Sequence, residues 1–176
     1  FEAATHLAEA HTDFLSKKAS MTRPETQLKL ALYSSILHLC LGEPSKARKS
    51  MKKILGSDKS FHTLPSYKTA RLVNLLIQAE LGNYDFFANE ISSIKRTISY
   101  EKQMYITEKL LFRFLMAHPL PIYRKDREKL WAQYQKDITR IRQDKYEKQL
   151  LKTFDFTAWI ESKLTNIPFR EILYSE

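Results

Sequence analysis

The chain has 176 residues, 29 Lys and Arg against 20 Asp and Glu, and a net charge of +9; 43% of its residues are hydrophobic and 28% charged, too apolar for a disordered chain. Three glycines leave almost no room for phosphate-cradling loops, dinucleotide turns or a multi-hairpin β-fold, all of which need residues at positive φ. A single cysteine, Cys40, rules out an internal disulfide and a cysteine-rich zinc site, and no apolar run reaches the ~18 residues of a membrane span.

Helical periodicity dominates. The pattern predicts helices at roughly 2–18, 24–41, 44–56, 66–81, 84–98, 100–117, 122–150, 154–165 and 168–174. Leu28, Leu32, Ser35, Ile36 and Leu39 share one face of the second helix, and Leu72, Leu75, Leu76 and Ala79 share one face of the fourth. Thr22-Arg-Pro-Glu25 has the spacing of a capping box. Gly42, Gly56 and Gly82 each close a periodic run, as C-terminal caps do, and all six prolines fall at helix entries or in connections.

Sliding the chain by ~40 residues superposes its apolar positions. Leu32 meets Leu72 and Phe112, Ile36 meets Leu76 and Met116, and Leu41-Gly42 meets Leu81-Gly82. In the second helix of each unit, Met51 meets Ile91 and Trp131, and Ile54 meets Ile94 and Tyr134. Ala47 meets Phe87 and then Arg127, so the third copy has drifted. The expected organisation is one α-solenoid segment over 1–176. It comprises the second helix of a truncated repeat (1–18), repeats at 24–56 and 66–98, a drifted repeat at 100–150 and a capping helix pair at 154–175. The same ruler, together with a start at Phe1, leads to the expectation of a longer protein with upstream repeats of the same chain, and of an apolar face at Ala3, Ala4, Leu7 and Ala10 where a preceding helix would lie.

The Leu-Gly-x-x-x-x-Ala turn, with Ala47 five residues after Gly42, is similar to that of the tetratricopeptide repeat (TPR). The run Ala70 to Asp85, followed by Phe154-Asp-Phe-Thr-Ala-Trp-Ile-Glu-Ser-Lys-Leu164, resembles the C-terminal half of large uncharacterised TPR-like helical proteins of Bacteroidetes. The ~40-residue period differs from the 34 usual for TPR. The resemblance implies an all-α, right-handed solenoid of antiparallel helical hairpins, and a non-catalytic scaffold that binds a protein or peptide partner.

The residues themselves suggest little chemistry. No two of His6, His11, His38, His62 and His118 stand at i, i+4, so no metal site is expected. Cys40 lies between Leu39 and Leu41 on an apolar helix and reads as a packed thiol. No nucleophile set and no paired carboxylates emerge, so neither catalysis nor a cofactor is expected. Lys46, Arg48, Lys49, Lys52 and Lys53 form an acid-free basic helix, with Lys46, Lys49 and Lys53 along one side. This patch is a candidate for nucleic acid or an acidic ligand. Its equivalents one repeat later, Phe86, Asn89 and Ser93, carry no charge, so no nucleic-acid track is expected. Between 124 and 152, ten cations and five acids interleave, as on a solvated helix face.

A polar line interrupts the otherwise apolar first helices: Ser34 and His38, then Asn74 and Gln78 forty residues on, with Arg71 one turn earlier. It reads either as the lining of a partner-binding groove or as a buried ladder between repeats. A structural arm of a larger enzyme or regulator is a further alternative, and a cytoplasmic location is expected.

Overall fold

The computed structural model describes residues 23–56, 59–101 and 104–174. Among them are nine α-helices, one 3₁₀ turn and no strand, so the chain is all-α there. The predicted helix at 2–18, with its open face, lies outside the described residues. The chain divides into two compact units between Gly82 and Asn83.

In the first unit, α1 (Pro24–Cys40), α2 (Pro44–Leu55) and α3 (Pro65–Glu80) each begin on a proline. Proline suits the first turn because its missing N–H would have no partner there and its φ is already helical. The first entry differs from expectation: Arg23 occupies the N-cap position and gives no side-chain cap. Thr22 lies outside the described residues.

The α1–α2 turn is compact. Gly42 has φ 72°; its N–H donates to Leu39 O at 3.0 Å, and Glu43 N–H donates to His38 O at 2.8 Å. These two bonds make a Schellman motif, which settles the last carbonyls of α1. The Glu43 carbonyl then accepts from Lys46 and Ala47 N–H and opens α2. Gly82 repeats the conformation at φ 73°. Gly56 departs from expectation: it ends α2 in the right-handed region at φ −91°, and a Cβ there would stand 2.8 Å from Lys52 O.

Ala47, Met51 and Ile54 of α2 are buried, as are Leu28, Leu32 and Leu39 of α1. Where the helices meet, Ser35 and Ala47 are both fully buried; Ser35 Oγ donates to Ala31 O (2.8 Å) and Ala47 O (3.1 Å). Small side chains let the backbones approach, and the hydroxyl satisfies itself on carbonyls. Phe61, in the 3₁₀ turn Lys59–Phe61, fills the edge of this core. The two first helices differ more than the sequence suggests. On α3 every residue from Leu72 to Gln78 is buried, whereas α1 leaves Tyr33 56% exposed and carries an outward Lys29–Glu25 pair.

The second unit holds α4 (Phe86–Glu101), α5 (Ile106–Met116), α6 (Arg124–Gln143), α7 (Glu147–Leu151), α8 (Phe156–Thr165) and α9 (Phe169–Tyr174). Its core is aromatic. Phe114 of α5 meets Tyr134 of α6 and Trp159 of α8 edge-on, with centroids 5.6 and 5.7 Å away. Such T-shaped contacts set the ring quadrupoles favourably while burying large areas. Phe156 to Ile160 are all buried; α9 packs on α8, with Ile172 buried and the Phe169 ring against Phe154 just ahead of α8.

Two predicted boundaries move here. The helix expected at 122–150 breaks at Asp144, which is extended (ψ 128°) and whose Oδ1 accepts from Tyr146 N (2.7 Å) and Glu147 N (3.1 Å). The break lets Glu147, 5% exposed, reach the start of α5. There its carboxylate accepts from Ile106 N (2.7 Å), Thr107 N (3.0 Å) and Thr107 Oγ1 (2.8 Å). The helix expected to begin near 100 therefore starts at Ile106, with Glu108 also accepting from Tyr105 N at 3.0 Å. Carboxylates suit this place because the first N–H groups of a helix lack partners and carry its positive end.

The forty-residue correspondence survives unevenly. Leu32, Leu72 and Phe112 are all buried, as are Ile54, Ile94 and Tyr134, but Met116 is 57% exposed where Leu76 is fully buried.

Candidate functional site

The polar line of the first unit is largely internal. His38, Asn74 and Gln78 are 7–8% exposed, and Ser34 and Arg71 are half-buried. Ser34 Oγ lies 3.1 Å from Ser50 Oγ on α2, and Gln78 Nε2 donates to Asn74 Oδ1 one turn away at 3.4 Å. His38 Nδ1 lies 2.9 Å from Glu43 Oε2. These bonds run within a hairpin or along one helix; Arg71 and Gln78 have additional interactions of their own.

On the basic helix the Lys46 ammonium is committed to Glu43 at 2.7 Å. The hydrogen bond from Lys46, then that with His38, holds the Glu43 carboxyl below the usual carboxylate range. Arg48, Lys49 and Lys52 are exposed, opposite the buried Ala47, Met51 and Ile54. The Lys53 side chain lies outside the described residues. Burial raises the Cys40 thiol to a pKa of about 11, which disfavours the thiolate that a nucleophile requires.

A feature absent from the sequence reading lies in the second unit. Lys109, Phe112, Arg113 and Met116 stand at i, i+3, i+4 and i+7, so they share one face of α5. The opposite side, with Leu110, Leu111, Phe114 and Leu115, faces the core. With Lys95 of α4 and Met104 of the connection, these four line a hollow of about 380 Å³. Its lining combines three cations with two thioethers and one aromatic ring.

Lys95 Nζ sits 5.8 Å from the Phe112 ring centroid. Arg113 is otherwise engaged: Nη2 donates to Asp137 at 2.6 Å, and the guanidinium lies over Tyr134, 4.7 Å from the ring centre. Partial burial works against the Arg113 charge, but Asp137 and the Tyr134 hydroxyl outweigh it and raise the pKa, so it remains a cation. Among the described residues, no acidic side chain lines the hollow. The sequence signal was the mixed stripe of cations and apolar residues on α5, masked because Phe112 and Met116 also match the apolar repeat positions.

Among the described residues, no three His, Cys, Asp or Glu gather as metal ligands, and no helix is long and apolar enough to cross a membrane. No family model, curated protein or solved structure matches the chain.

Proposed function

We infer that this chain forms a TPR-like, right-handed α-solenoid that works as a non-catalytic protein–protein interaction scaffold set in the cytoplasm. The observation that carries the reading is the recurrence of one turn. Leu41-Gly42 and Leu81-Gly82 close helices forty residues apart with φ of 72° and 73°. Stacked helical hairpins of this kind bury their faces against neighbours and leave extended surfaces for partners. The resemblance to TPR-like proteins of Bacteroidetes points the same way. Burial of His38, Asn74 and Gln78 favours the internal alternative for the polar line, so partner contacts are to be sought on exposed faces.

The test is selection of binders to the full chain from a displayed peptide library, with affinities measured on synthetic peptides. Saturable micromolar binders support the scaffold; their absence sinks it. For the polar line, Asn74→Ala alone is expected to lower stability by about 1–3 kcal/mol, because the buried Gln78 amide loses the acceptor for its Nε2. An unchanged melting temperature with lost peptide binding would return the line to the role of a groove.

A second reading, nucleic acid or an acidic ligand on α2, is favoured by the exposed cations Arg48, Lys49 and Lys52. It predicts binding that falls steeply with salt, in proportion to the phosphates neutralised. Sub-micromolar RNA or DNA affinity near physiological salt, lost when Arg48, Lys49 and Lys52 become Glu, would replace the scaffold reading with this one.

A further inference from the structure

We propose that the hollow between α4 and α5 is a docking site for an acidic peptide segment that carries an apolar anchor residue. This rests on the scaffold reading and specifies its partner. The charge pattern selects the occupant. Lys95, Lys109 and Arg113 ring the hollow, and among the described residues no acid lines it. Among the described residues, Lys109 has no ion pair, and Lys95 only overlooks the Phe112 ring. Two ammonium groups beside an apolar floor therefore await carboxylates.

The floor selects the rest. Met104 and Met116 offer an apolar seat above the buried Phe112, and thioethers adapt to differently shaped side chains. About 380 Å³ accommodates one or two large side chains. Nucleic acid fits less well. Base stacking needs an open ring face, and Phe112 is 3% exposed. Bidentate phosphate recognition needs a free guanidinium, and that of Arg113 is engaged with Asp137 and Tyr134. A short acidic segment with one Leu or Phe meets both requirements: carboxylates at the rim and an anchor on the floor.

The experiment titrates the full chain with a fluorescein-labelled ten-residue acidic peptide bearing a central phenylalanine. Controls are the same peptide with the phenylalanine changed to serine, the peptide with lysine in place of its acids, and a single-stranded oligonucleotide. The proposal expects saturable binding of the acidic phenylalanine peptide, weakened about tenfold or more by Lys95→Glu with Lys109→Glu, and weakened by raising salt from about 0.05 to about 0.5 M. Met116→Ala, at an exposed position, is expected to weaken binding severalfold and to remove the preference for phenylalanine over serine. Thermal melts of the variants check that the fold is kept.

Equal binding of the lysine peptide, indifference to the two charge reversals, or stronger oligonucleotide binding that depends on the same lysines would each overturn the proposal. Library-selected peptides that bind elsewhere and ignore these substitutions would overturn the acidic-peptide site while leaving the scaffold standing. If neither the acidic peptide nor any library peptide binds, both fall.

Discussion

The first unit closes α1 on a glycine, and the second closes α6 on a carboxylate. At Gly42 the backbone turns left-handed and the last carbonyls of α1 are met by the next two N–H groups. At Asp144 the backbone stays extended and a side chain captures the N–H groups of Tyr146 and Glu147. The cores differ in the same sense. The first is aliphatic, with a Ser35–Ala47 close approach; the second is aromatic, with rings from three helices around Phe114. A glycine turn is a local device that leaves the rest of the sequence free. A carboxylate turn is a tertiary device, because Asp144 directs α7 so that Glu147 caps a helix 41 residues away.

That contrast is sharpest in the aromatic core. Trp159→Ala should cost about 3–5 kcal/mol, the range for emptying a buried aromatic site. Chemical denaturation followed by circular dichroism would read it; Trp131 emission would report the second unit, since both tryptophans lie there. A loss under about 1 kcal/mol would mean that the rings around Phe114 are not a close-packed centre.

Glu147→Ala comes next. It strands two backbone N–H groups and a hydroxyl, and about 2–3 kcal/mol of stability should go with them. Glu147→Gln keeps the acceptor but not the charge and should fall between. If hydrogen exchange at Ile106 and Thr107 is the same in Glu147→Ala as in the parent, the cap is not made.

For the first unit, Gly42→Ala should cost about 1–2 kcal/mol because an L side chain resists φ 72°, although the space around it is open. Gly56→Ala tests the opposite cause, a Cβ 2.8 Å from Lys52 O at ordinary φ. Thermal melts of both would separate backbone strain from steric contact. Two neutral substitutions would break the comparison on the glycine side.

The smallest effect concerns Glu43. Its folded pKa is lowered, so its contribution is present above the unfolded carboxylate pKa and is lost as pH falls through the lower folded value. Carboxyl NMR titration should find it below the ordinary range, and Lys46→Ala should move it back up. A midpoint unmoved by Lys46→Ala would remove the ion pair from the turn.

The helices at 24–41, 44–56 and 66–81 could be read from the chain because period and punctuation agree there: an apolar stripe, a proline at entry and a glycine at exit are local signals. The break inside 122–150 is hidden in the sequence, although Asp144-x-x-Glu147 has capping-box spacing, because interleaved charges around it continue a helical pattern without apolar contrast. The polar line is legible residue by residue, but its burial is not, since period alone does not say which face a neighbour covers. The hollow escaped because it needs Lys95 beside α5, a juxtaposition made by the tertiary fold.

By itself, then, the sequence determined that this protein is helical, where several of its helices stop, and which residues are apolar enough to be buried. These follow from backbone sterics and side-chain periodicity over a few turns. Only the tertiary structure decided that Glu147 serves α5, that Asn74 and Gln78 are internal, and that three cations share an apolar floor. Those outcomes depend on which surfaces distant segments bring together, and burial and charge proximity have no meaning until they do.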